Sequence, residues 1–353
     1  MHEIVLNLHM HTRYSDGTGL HRDLARAAWK AGVDVLLVTD HNVWVDGVEG
    51  YYANGNHKVL LLVGEEVHDR TRQPQKNHLL VFGAQREMAP LADDPQRLLD
   101  AVNQAGGLAF IAHPHDPAAP TFHEPDISWV DWEVTGYHGL ELWNAMSEFK
   151  GHLRSWAHAL YYTFQFHQIA QGPYPEALER WTSLLAAGQK VVAVAGSDAH
   201  ALHKRLGPVR KVLFPYEWHF RAVNTHLLLP EPLSGDLSTD RGRVYAALRQ
   251  GRAFLANDLL AEARGFRFTG QGQGQEAFPG ESLPLNGGVT LKARLPRKAE
   301  IRLRRYAEVI QTWKNHEVMA YTATRPGAYW LEMFLFRWGR RRTWIISNPI
   351  YVE

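Results

Sequence analysis

The feature that most constrains the fold is a series of seven short apolar runs, each rich in valine, isoleucine and leucine. Such runs are typical of strands that are buried on both faces. They are Ile4–Leu8, Val33–Val38, Val59–Val63, Leu79–Phe82, Leu108–Ile111, Leu140–Trp143 and Val191–Ala195. Helical patterns such as Leu20–Lys30 and Pro95–Gln104 separate several of them. This alternation predicts an α/β fold, either a parallel sheet or an α/β barrel.

The rest of the chain indicates two further regions. Residues 145–189 hold a long, aromatic helical stretch, Ser147–Ile169, and a second helical stretch, Pro175–Ala187, and predict a helical insertion between the sixth and seventh strands. After residue 258 polar and apolar residues alternate, with turn signals at Asn286-Gly287 and Pro326-Gly327, a pattern typical of antiparallel strands. A chain of 353 residues is longer than the length that a single hydrophobic core ordinarily supports. We therefore predict a barrel domain over residues 1–258 and a small antiparallel β-sandwich domain over residues 259–353.

Composition limits the kind of ligand that the chain can bind. It has no cysteine, so disulfides and thiolate metal sites are excluded, and any metal ion must be held by nitrogen and oxygen atoms. The formal net charge of +1 gives no broad basic field for nucleic acid or anionic lipid. Neither a secretory signal nor a long apolar stretch occurs in the sequence. We expect a cytoplasmic protein with no membrane partner and no stable nucleic-acid complex.

Residues that can bind metal ions stand at the ends of all seven apolar runs. In chain order they are His9, His11 and Asp16; Asp40 and His41; Glu65 and Glu66; His78; His113; Glu141 and Asn144; and Asp198 and His200. In an α/β barrel the carboxyl ends of the strands surround one mouth, so these distant residues are expected to meet there. His78 is the exception because it precedes its run. It fits only if that strand runs against the others or if its loop folds back.

The spacing within these groups has a geometric reason. Side chains two positions apart in an extended segment point to the same side, so His9 and His11 can reach one ion, as can Asp198 and His200. A carboxylate can bridge two ions and offset their charge. One such pair alone is weak evidence, and Asp40 could instead cap a helix. Recurrence at successive strand ends favours a metal centre, and ligands without sulfur suit zinc, manganese or iron.

Five of these segments, in the same order, resemble the successive motifs of the polymerase and histidinol phosphatase (PHP) superfamily. They are His9-Met-His11-Thr-Arg-Tyr-Ser-Asp16-Gly17, Thr39-Asp-His41, Gly64-Glu-Glu66, Ile111-Ala-His113-Pro and Gly196-Ser-Asp198-Ala-His200. The resemblance covers residues 4–214 and implies a distorted, TIM-like (βα)7 barrel. The segments at residues 141–144, 251–257 and 344–350 are similar to the carbaryl-hydrolase-like branch, whose members carry a C-terminal β-domain.

The resemblance implies two or three divalent ions with shared ligands. The ligands implied for the first ion are His9, His11, Glu66 and Asp198. Glu66, which occupies the family's Gly-x-Glu position, would bridge to a second ion that is also held by His78 and His113. The ligands implied for a third ion are Asp16, His41 and His200. The segment Asn77-His-Leu-Leu-Val-Phe-Gly83 is similar to the family's fourth motif, and this similarity carries the assignment of His78.

Members of this superfamily mostly hydrolyse phosphate esters, so the resemblance implies a metal-dependent phosphoesterase for a mono- or diester, with nucleotides included. The hypothesis is that hydroxide, formed from a water that bridges two ions, attacks phosphorus in line with the leaving oxygen. The predicted catalytic residues are Glu66, Asp198 and Asp40, the last as a residue that orients a ligand or the nucleophile. The predicted substrate-binding residues are Arg13, Asn144, Lys204 and Arg205.

Two other functions stay open from the sequence. Hydroxide at a two-metal centre attacks carbonyl carbon as well as phosphorus, so hydrolysis of a carboxyl or carbamate ester is the first alternative, and the branch resemblance makes it a serious rival. The second is a non-catalytic protein whose β-domain binds a sugar or polymer, and the complete set of implied ligands argues against it. The expected partner is therefore a small-molecule phosphate or other ester. The sequence does not indicate the number of subunits.

Overall fold

The computed structural model describes residues 1–55, 57–206 and 209–353, with the backbone alone for residues 203–206 and 209–211. The strands are β1 His2–Met10, β2 Val35–Val38, β3 Gly50–Asn54, β4 His57–Val67, β5 Leu79–Phe82, β6 Leu108–Ile111, β7 Gly139–Asn144, β8 Val192–Ala199, β9 Leu202–Leu206, β10 Val209–Leu213, β11 Val223–Leu229, β12 Ala253–Asn257, β13 Arg267–Gly272, β14 Gln275–Ala277, β15 Ser282–Leu283, β16 Val289–Arg305, β17 Glu308–Ala323, β18 Gly327–Arg337, β19 Arg340–Ser347 and β20 Ile350–Val352. The α-helices are α1 His21–Ala31, α2 Pro95–Gln104, α3 Ala145–His152, α4 Trp156–Phe164, α5 Pro175–Ala186, α6 Tyr216–Ala222 and α7 Leu237–Gln250.

Seven strands close a barrel in the order β1, β2, β4, β5, β6, β7 and β8. Most neighbours are parallel, but β5 runs antiparallel to both β4 and β6. The predicted seven-strand barrel is therefore confirmed. Because β5 is reversed, the residue that precedes Leu79 lies at the same end of the barrel as the carboxyl ends of the other strands. This is the condition under which His78 could join the predicted site.

Helices connect only some of the barrel strands, so the barrel departs from regular strand–helix alternation. Helix α1 joins β1 to β2, α2 joins β5 to β6, and α3 to α5 join β7 to β8. In the described residues β2 and β4 are joined through β3, which pairs antiparallel with β4. The antiparallel pair β4 and β5 needs no crossover helix, because antiparallel neighbours can be joined by a loop.

The interior of the barrel is filled by alternate residues of its strands. One buried cluster takes two or three residues, spaced two apart, from each of six barrel strands: Ile4, Leu6 and Leu8; Val35 and Leu37; Leu60 and Leu62; Leu80 and Phe82; Leu108 and Phe110; and Val192 and Val194. Such residues lie on one face of each strand, and the faces meet only inside the barrel. The next inward position after Leu8 in this pattern is Met10, yet it packs in a different cluster with α1. A register shift in the β1–β8 pairing, between Leu8 and Met10, explains the change.

The predicted helices agree with the structure except in the insertion. Asp94 caps α2 by accepting hydrogen bonds from the backbone N–H groups of residues 96 and 97, and Gly32 ends α1 in the left-handed conformation. The long helical pattern predicted from residue 147 to 169 is wrong as one helix. It is divided into α3 and α4, and Ser155 caps the second by accepting from the N–H of His158. The hydroxyl competes for backbone hydrogen bonds and so starts a new helix.

The strands β11 and β12 extend the sheet of the barrel, and the strands after residue 258 join that sheet through β19. β11 pairs antiparallel with β1, β12 with β11, and β19 with β12. The long strand β16 pairs antiparallel with β13, β17 and β18 around a second apolar core. The chain is thus a mixed α/β protein with a seven-strand barrel and many additional strands, and the division at residue 258 stays a prediction. None of the described helices is both long enough and apolar enough to cross a membrane.

Candidate metal centre

The nine sequence-predicted metal ligands meet at one end of the barrel, in overlapping groups. In each group, one ligand atom per residue lies within 4.8 Å of the others. The groups are His9, His11, Glu66 and Asp198; Glu66, His78 and His113; and His11, Asp16, His41 and His200. These are the sets implied by the family motifs for three ions, with His11 added to the third. The reversal of β5 brings His78 into the second group, where a strand parallel to its neighbours would have placed it at the opposite end.

Glu66 lies at the centre of the cluster and is 1% exposed. Its Oε1 is 2.8 Å from Nδ1 of His78 and 3.0 Å from Nε2 of His113. Its Oε2 is 3.0 Å from Nε2 of His9, 3.3 Å from Nε2 of His11 and 3.0 Å from Nδ1 of His41. Five imidazoles therefore approach one carboxylate. This is the arrangement expected of a carboxylate that bridges two cations.

Several of these contacts are close without being hydrogen bonds. His9 Nε2 and His41 Nδ1 each lie 3.0 Å from Glu66 Oε2. Nevertheless, these three buried atoms have no hydrogen-bond partner in the described part of the chain. Nε2 of His78 and Nδ1 of His113 are also buried and unpartnered. Leaving so many buried polar atoms unsatisfied costs about 1–3 kcal/mol each. The unpartnered His9 Nε2 and His41 Nδ1 both lie next to the unpartnered Glu66 Oε2, and a divalent metal ion among them would satisfy these atoms.

The third group is more open than the other two. Asp16 Oδ2 lies 3.3 Å from Nε2 of His200 and 3.6 Å from Nε2 of His41. The side chain of Asp16 is 55% exposed, whereas that of Glu66 is buried. His11 connects the groups, because its ring stacks on those of His41 and His200 with centroids 4.3 Å apart in each case. A ligand that enters from solvent therefore meets this side of the cluster first.

Charge in the cluster is set by burial and by the mutual attraction of the carboxylates and imidazoles. Burial alone would raise the pKa of Glu66, but His9, His41 and His78 outweigh it and hold the pKa well below its ordinary value. Burial alone would lower the pKa of His9, but the carboxylates of Glu141, Glu66 and Asp198 raise it well above the ordinary value. The carboxylates thus stay ionised, as metal ligands must.

Glu141 organises the cluster from behind. Both of its carboxylate oxygens accept from the Nδ1–H of His9, at 2.9 and 3.0 Å, and Oε2 also accepts from the backbone N–H of His113 at 2.9 Å. With one proton held on Nδ1, His9 would offer its Nε2 lone pair to a metal ion bound beside Glu66. The sequence placed Glu141 at a strand end but did not assign it this contact, which depends on the register of β7 against β8.

Three of the predicted ligands have left-handed backbone conformations. The φ angles are 62° at His9, 25° at His113 and 51° at Asp198. For residues with a Cβ this conformation costs about 1–2 kcal/mol each. Unfavourable backbone conformations concentrated at one end of a barrel are typical of functional sites, where the surroundings hold side chains in a required direction. The strained backbone therefore supports a functional site, at which the direction of the side chains is maintained at a cost in backbone energy.

The remaining predicted site residues have different positions. Asn144 is within the cluster, and its Nδ2 donates to Glu141 at 2.9 Å and lies 3.4 Å from Oδ2 of Asp198. Asp40 instead accepts from the backbone N–H of Thr12 at 2.6 Å and from the Ser15 hydroxyl at 2.7 Å. It thereby fixes the loop that carries the predicted ligands at residues 11 and 16.

The four predicted substrate-binding residues are not all in the cluster. Arg13 is exposed, and its Nε–H donates to the carbonyl of Thr18 at 2.6 Å, within its own loop. Lys204 and Arg205 have a backbone in β9, but their side chains lie outside the described residues. No contact of Arg13 with a member of the cluster occurs in the described part of the chain. Its assignment to the substrate therefore stays a prediction.

Two residues near the cluster were missed by the sequence analysis. His68 is buried, stacks on His78 with ring centroids 4.3 Å apart, and forms a further group with His41 and His78. It stands two residues after Glu66, so the spacing rule that paired His9 with His11 would have found it. Arg70 is exposed, and its guanidinium donates to the carbonyl of His41 at 3.3 Å, which no sequence pattern indicated.

Comparison with known proteins agrees with the motifs. The PHP domain family model matches residues 7–194, which is more than half of the chain. An uncharacterized protein of Methanocaldococcus jannaschii is 28% identical over 122 residues, which cover 31% of this chain and 68% of that protein.

Two solved structures are similar at lower identity. One, from Bacteroides vulgatus, is a two-domain protein containing a predicted PHP-like metal-dependent phosphoesterase. It is 16% identical, with a TM-score of 0.44, over 98% of this chain and 95% of that one. The other, from Bifidobacterium adolescentis, is proposed to be a metal-dependent phosphoesterase. It is 18% identical, with a TM-score of 0.35, over 55% of this chain and 87% of that one. The family match, which includes the predicted ligands from His9 to His113, establishes that this chain belongs to the PHP domain family.

Proposed function

We propose that the chain is a metal-dependent hydrolase of phosphate esters, with two or three divalent ions held at the barrel mouth. One observation carries the proposal: the carboxylate of Glu66 is buried among five imidazoles, and both of its oxygens are contacted. A purely structural carboxylate would be satisfied by far fewer partners. Zinc, manganese and iron all suit this set of nitrogen and oxygen donors.

Divalent ions held there would supply Lewis acidity toward a phosphoryl oxygen and would lower the pKa of water at the site. The chain's own residues prepare the site for that role. Glu66 and Asp198 supply negative charge, and the pKa of Asp198 is held well below its ordinary value: burial would raise it, but His9, His11 and His200 outweigh burial. Glu66 and Asp198 would therefore contribute to catalysis by holding the ions in place.

Positioning falls to three residues that need not touch an ion. Glu141 holds His9 in one orientation, and Asn144 donates to Glu141 and approaches Asp198. Asp40 holds the loop of residues 11–16 through its two hydrogen bonds from Thr12 and one from Ser15. We propose that Asp40 acts in this way, as the orienting residue that the sequence suggested.

A phosphate ester is the substrate class that the site supports best. The motifs resemble a superfamily whose members mostly hydrolyse phosphate esters, and a trinuclear cation cluster would attract a substrate with negative charge. Arg70 adds a cation beside His41, and it has no ion pair among the described residues. An exposed arginine in this position could contact a phosphoryl oxygen at the open side of the cluster. Carboxyl and carbamate esters lack that charge and so gain less from the same site.

The test is a panel of phosphomonoesters, phosphodiesters and aryl carboxyl esters, assayed with protein of known metal content. We expect metal-dependent hydrolysis of at least one phosphate ester, and its loss in the double variant His9→Ala with Asp198→Ala. A matched control is His57→Ala with Asp46→Ala, since both side chains are exposed. Retained activity in the first variant would contradict the proposed site. Cleavage of carboxyl esters alone would instead favour the ester-hydrolase alternative.

A further inference from the structure

A cavity lies away from the metal centre, between the helical insertion and the hairpin formed by β18 and β19. Its volume is about 610 Å³, and none of the ligand-group residues described above is among the described residues that line it. Arginine and aromatic side chains dominate the lining: Arg154, Tyr161, Tyr162, Trp338, Arg340 and Arg342. A cavity of this size falls within the range of small-molecule sites.

Arg342 is a buried cation without an acidic partner. It is 2% exposed, and its Nη1–H donates to the carbonyl of Gln168 at 3.1 Å, while its Nη2 contacts the Gln168 side chain. Its Nε has no hydrogen-bond partner in the described part of the chain. Glu148 is the nearby acid whose negative charge favours the protonated form of Arg342, but no described ion pair joins the two side chains. The Glu148 carboxylate accepts hydrogen bonds from the backbone N–H groups of Gln171 and Gly172. A buried charge that lacks a counter-ion is costly, so an anion in the cavity would stabilise it.

The other two arginines reinforce this field. Arg154 and Arg340 are exposed at the cavity, and neither forms an ion pair with a described carboxylate. By contrast, Arg341, the next residue of β19, forms an ion pair with Glu300 at 3.4 Å. Three guanidinium groups that face one cavity without carboxylates form a positive pocket, and guanidinium groups are well suited to bind planar or tetrahedral oxyanions in two-point contacts.

The aromatic residues provide flat surfaces in the same cavity. Tyr162 stacks on His152 with centroids 5.0 Å apart, and Tyr161 contacts Tyr162 edge-on at 5.1 Å. From the β18–β19 hairpin, the ring of Trp338 has its centroid 5.0 Å from the guanidinium carbon of Arg342. Tyr161 and Trp338 are about half exposed, at 49% and 48%. Large exposed rings on two sides of a cationic cavity can hold a flat ring between them.

We propose that this pocket binds a small organic anion that carries a flat ring, with its phosphate or other oxyanion against the three arginines and its ring against the aromatic side chains. Both a nucleoside monophosphate and an aryl acid have this chemistry. The inference is independent of the proposed function, because it uses no residue of the metal centre. It gives the insertion and the β18–β19 hairpin a shared role, since each contributes part of the pocket.

The test is isothermal titration of the full chain, loaded with metal, against two probes that a phosphoesterase cannot cleave. One is naphthalene-2-sulfonate, and the other is a phosphonate analogue of adenosine monophosphate. The variant is Arg154→Gln with Arg340→Gln, whose exposed side chains can change without disturbing the core. The control is Arg341→Gln, on the next position of β19 and therefore on the opposite face of the strand.

We expect at least one probe to bind, and the double variant to weaken that binding about tenfold or more, because two charge-assisted contacts are lost. Arg341→Gln should bind as the original chain does, and sulfate or naphthol alone should bind more weakly than the complete sulfonate. Tighter binding of the phosphonate identifies a nucleotide as the ligand type, and tighter binding of the sulfonate identifies an aryl acid. Binding that is absent for both probes, or unchanged in the double variant, would overturn the proposal.

Discussion

Gly196 offers a test of how Glu141 positions the metal centre, although glycine itself binds nothing. A Cβ at this position would lie 2.0 Å from Oε1 of Glu141 and 2.9 Å from the Cβ of His9. Real Cβ atoms essentially never approach a neighbour within 3.0 Å, so Glu141 must retreat by about 1 Å or more in Gly196→Ala. A carboxylate that retreats as a whole lengthens both of its contacts with His9 Nδ1, now 2.9 and 3.0 Å, beyond hydrogen-bonding reach.

The expected result is a loss of metal affinity and of activity. Losing the group that orients a metal-binding histidine typically weakens metal affinity or activity by about 10- to 100-fold. A misplacement of about 1 Å can by itself lower the rate by about 100-fold. Metal affinity would be measured by competition with a chromophoric chelator, and turnover on the best phosphate ester of the panel. The folded state of the variant would be checked by circular dichroism.

Gly242→Ala is the matched control. A Cβ at Gly242, within α7, meets nothing within 4 Å. The same chemical change should therefore leave metal affinity unchanged and stabilise the helix by about 1 kcal/mol. If Gly196→Ala stays folded and binds metal within about threefold of the original chain, Glu141 does not orient His9 in the way that the structure indicates.

Two further predictions concern stability. His226 lies between Glu3 and Asp258, at 2.8 and 3.0 Å; burial opposes its protonation, but the carboxylates raise its pKa from 6.5 to about 9. The resulting stabilisation, about 3 kcal/mol, should be complete below about pH 6.5 and lost as the pH rises through about 9. Thermal unfolding of His226→Gln should lack this pH dependence, and an unchanged profile would refute the assignment. Trp330 is fully buried and packs edge-on against Trp181 of the insertion, with centroids 5.1 Å apart. Trp330→Ala should cost about 3–5 kcal/mol in urea unfolding, and a cost below about 1 kcal/mol would contradict this packing.

The strand content of the barrel could be predicted because burial on both faces leaves a direct mark in the sequence. Leu79–Phe82 and Leu108–Ile111 were predicted with the bounds that the structure has. The direction of β5 could not be predicted, since an apolar run reads the same in parallel and antiparallel pairing. The additional strand β3 was missed because Gly50–Asn54 is only half-buried and carries no apolar run. Direction and edge pairing depend on neighbours that are distant in the sequence.

In the candidate site, too, features with a local sequence signal could be predicted, and contacts between distant segments could not. His9, Glu66 and Asp198 could be predicted because they belong to motifs at strand ends and because their spacing has a local geometric meaning. The contact of Glu141 with His9 could not, because it depends on a close approach across β7 and β8 that Gly196 permits. Arg70 was not found either, since its position beside His41 follows from the path of a loop.

The metal content of the protein shows directly whether Glu66 joins ions at the mouth of the barrel, as we propose. The full chain would be saturated with zinc or with manganese, freed of loosely bound metal by gel filtration, and analysed by inductively coupled plasma mass spectrometry beside Glu66→Gln. We expect two or three ions per chain for the original protein and a loss of at least one ion in the variant, because the carboxylate proposed to bridge ions is neutralised. Fewer than one ion per chain in the original protein would contradict the proposal.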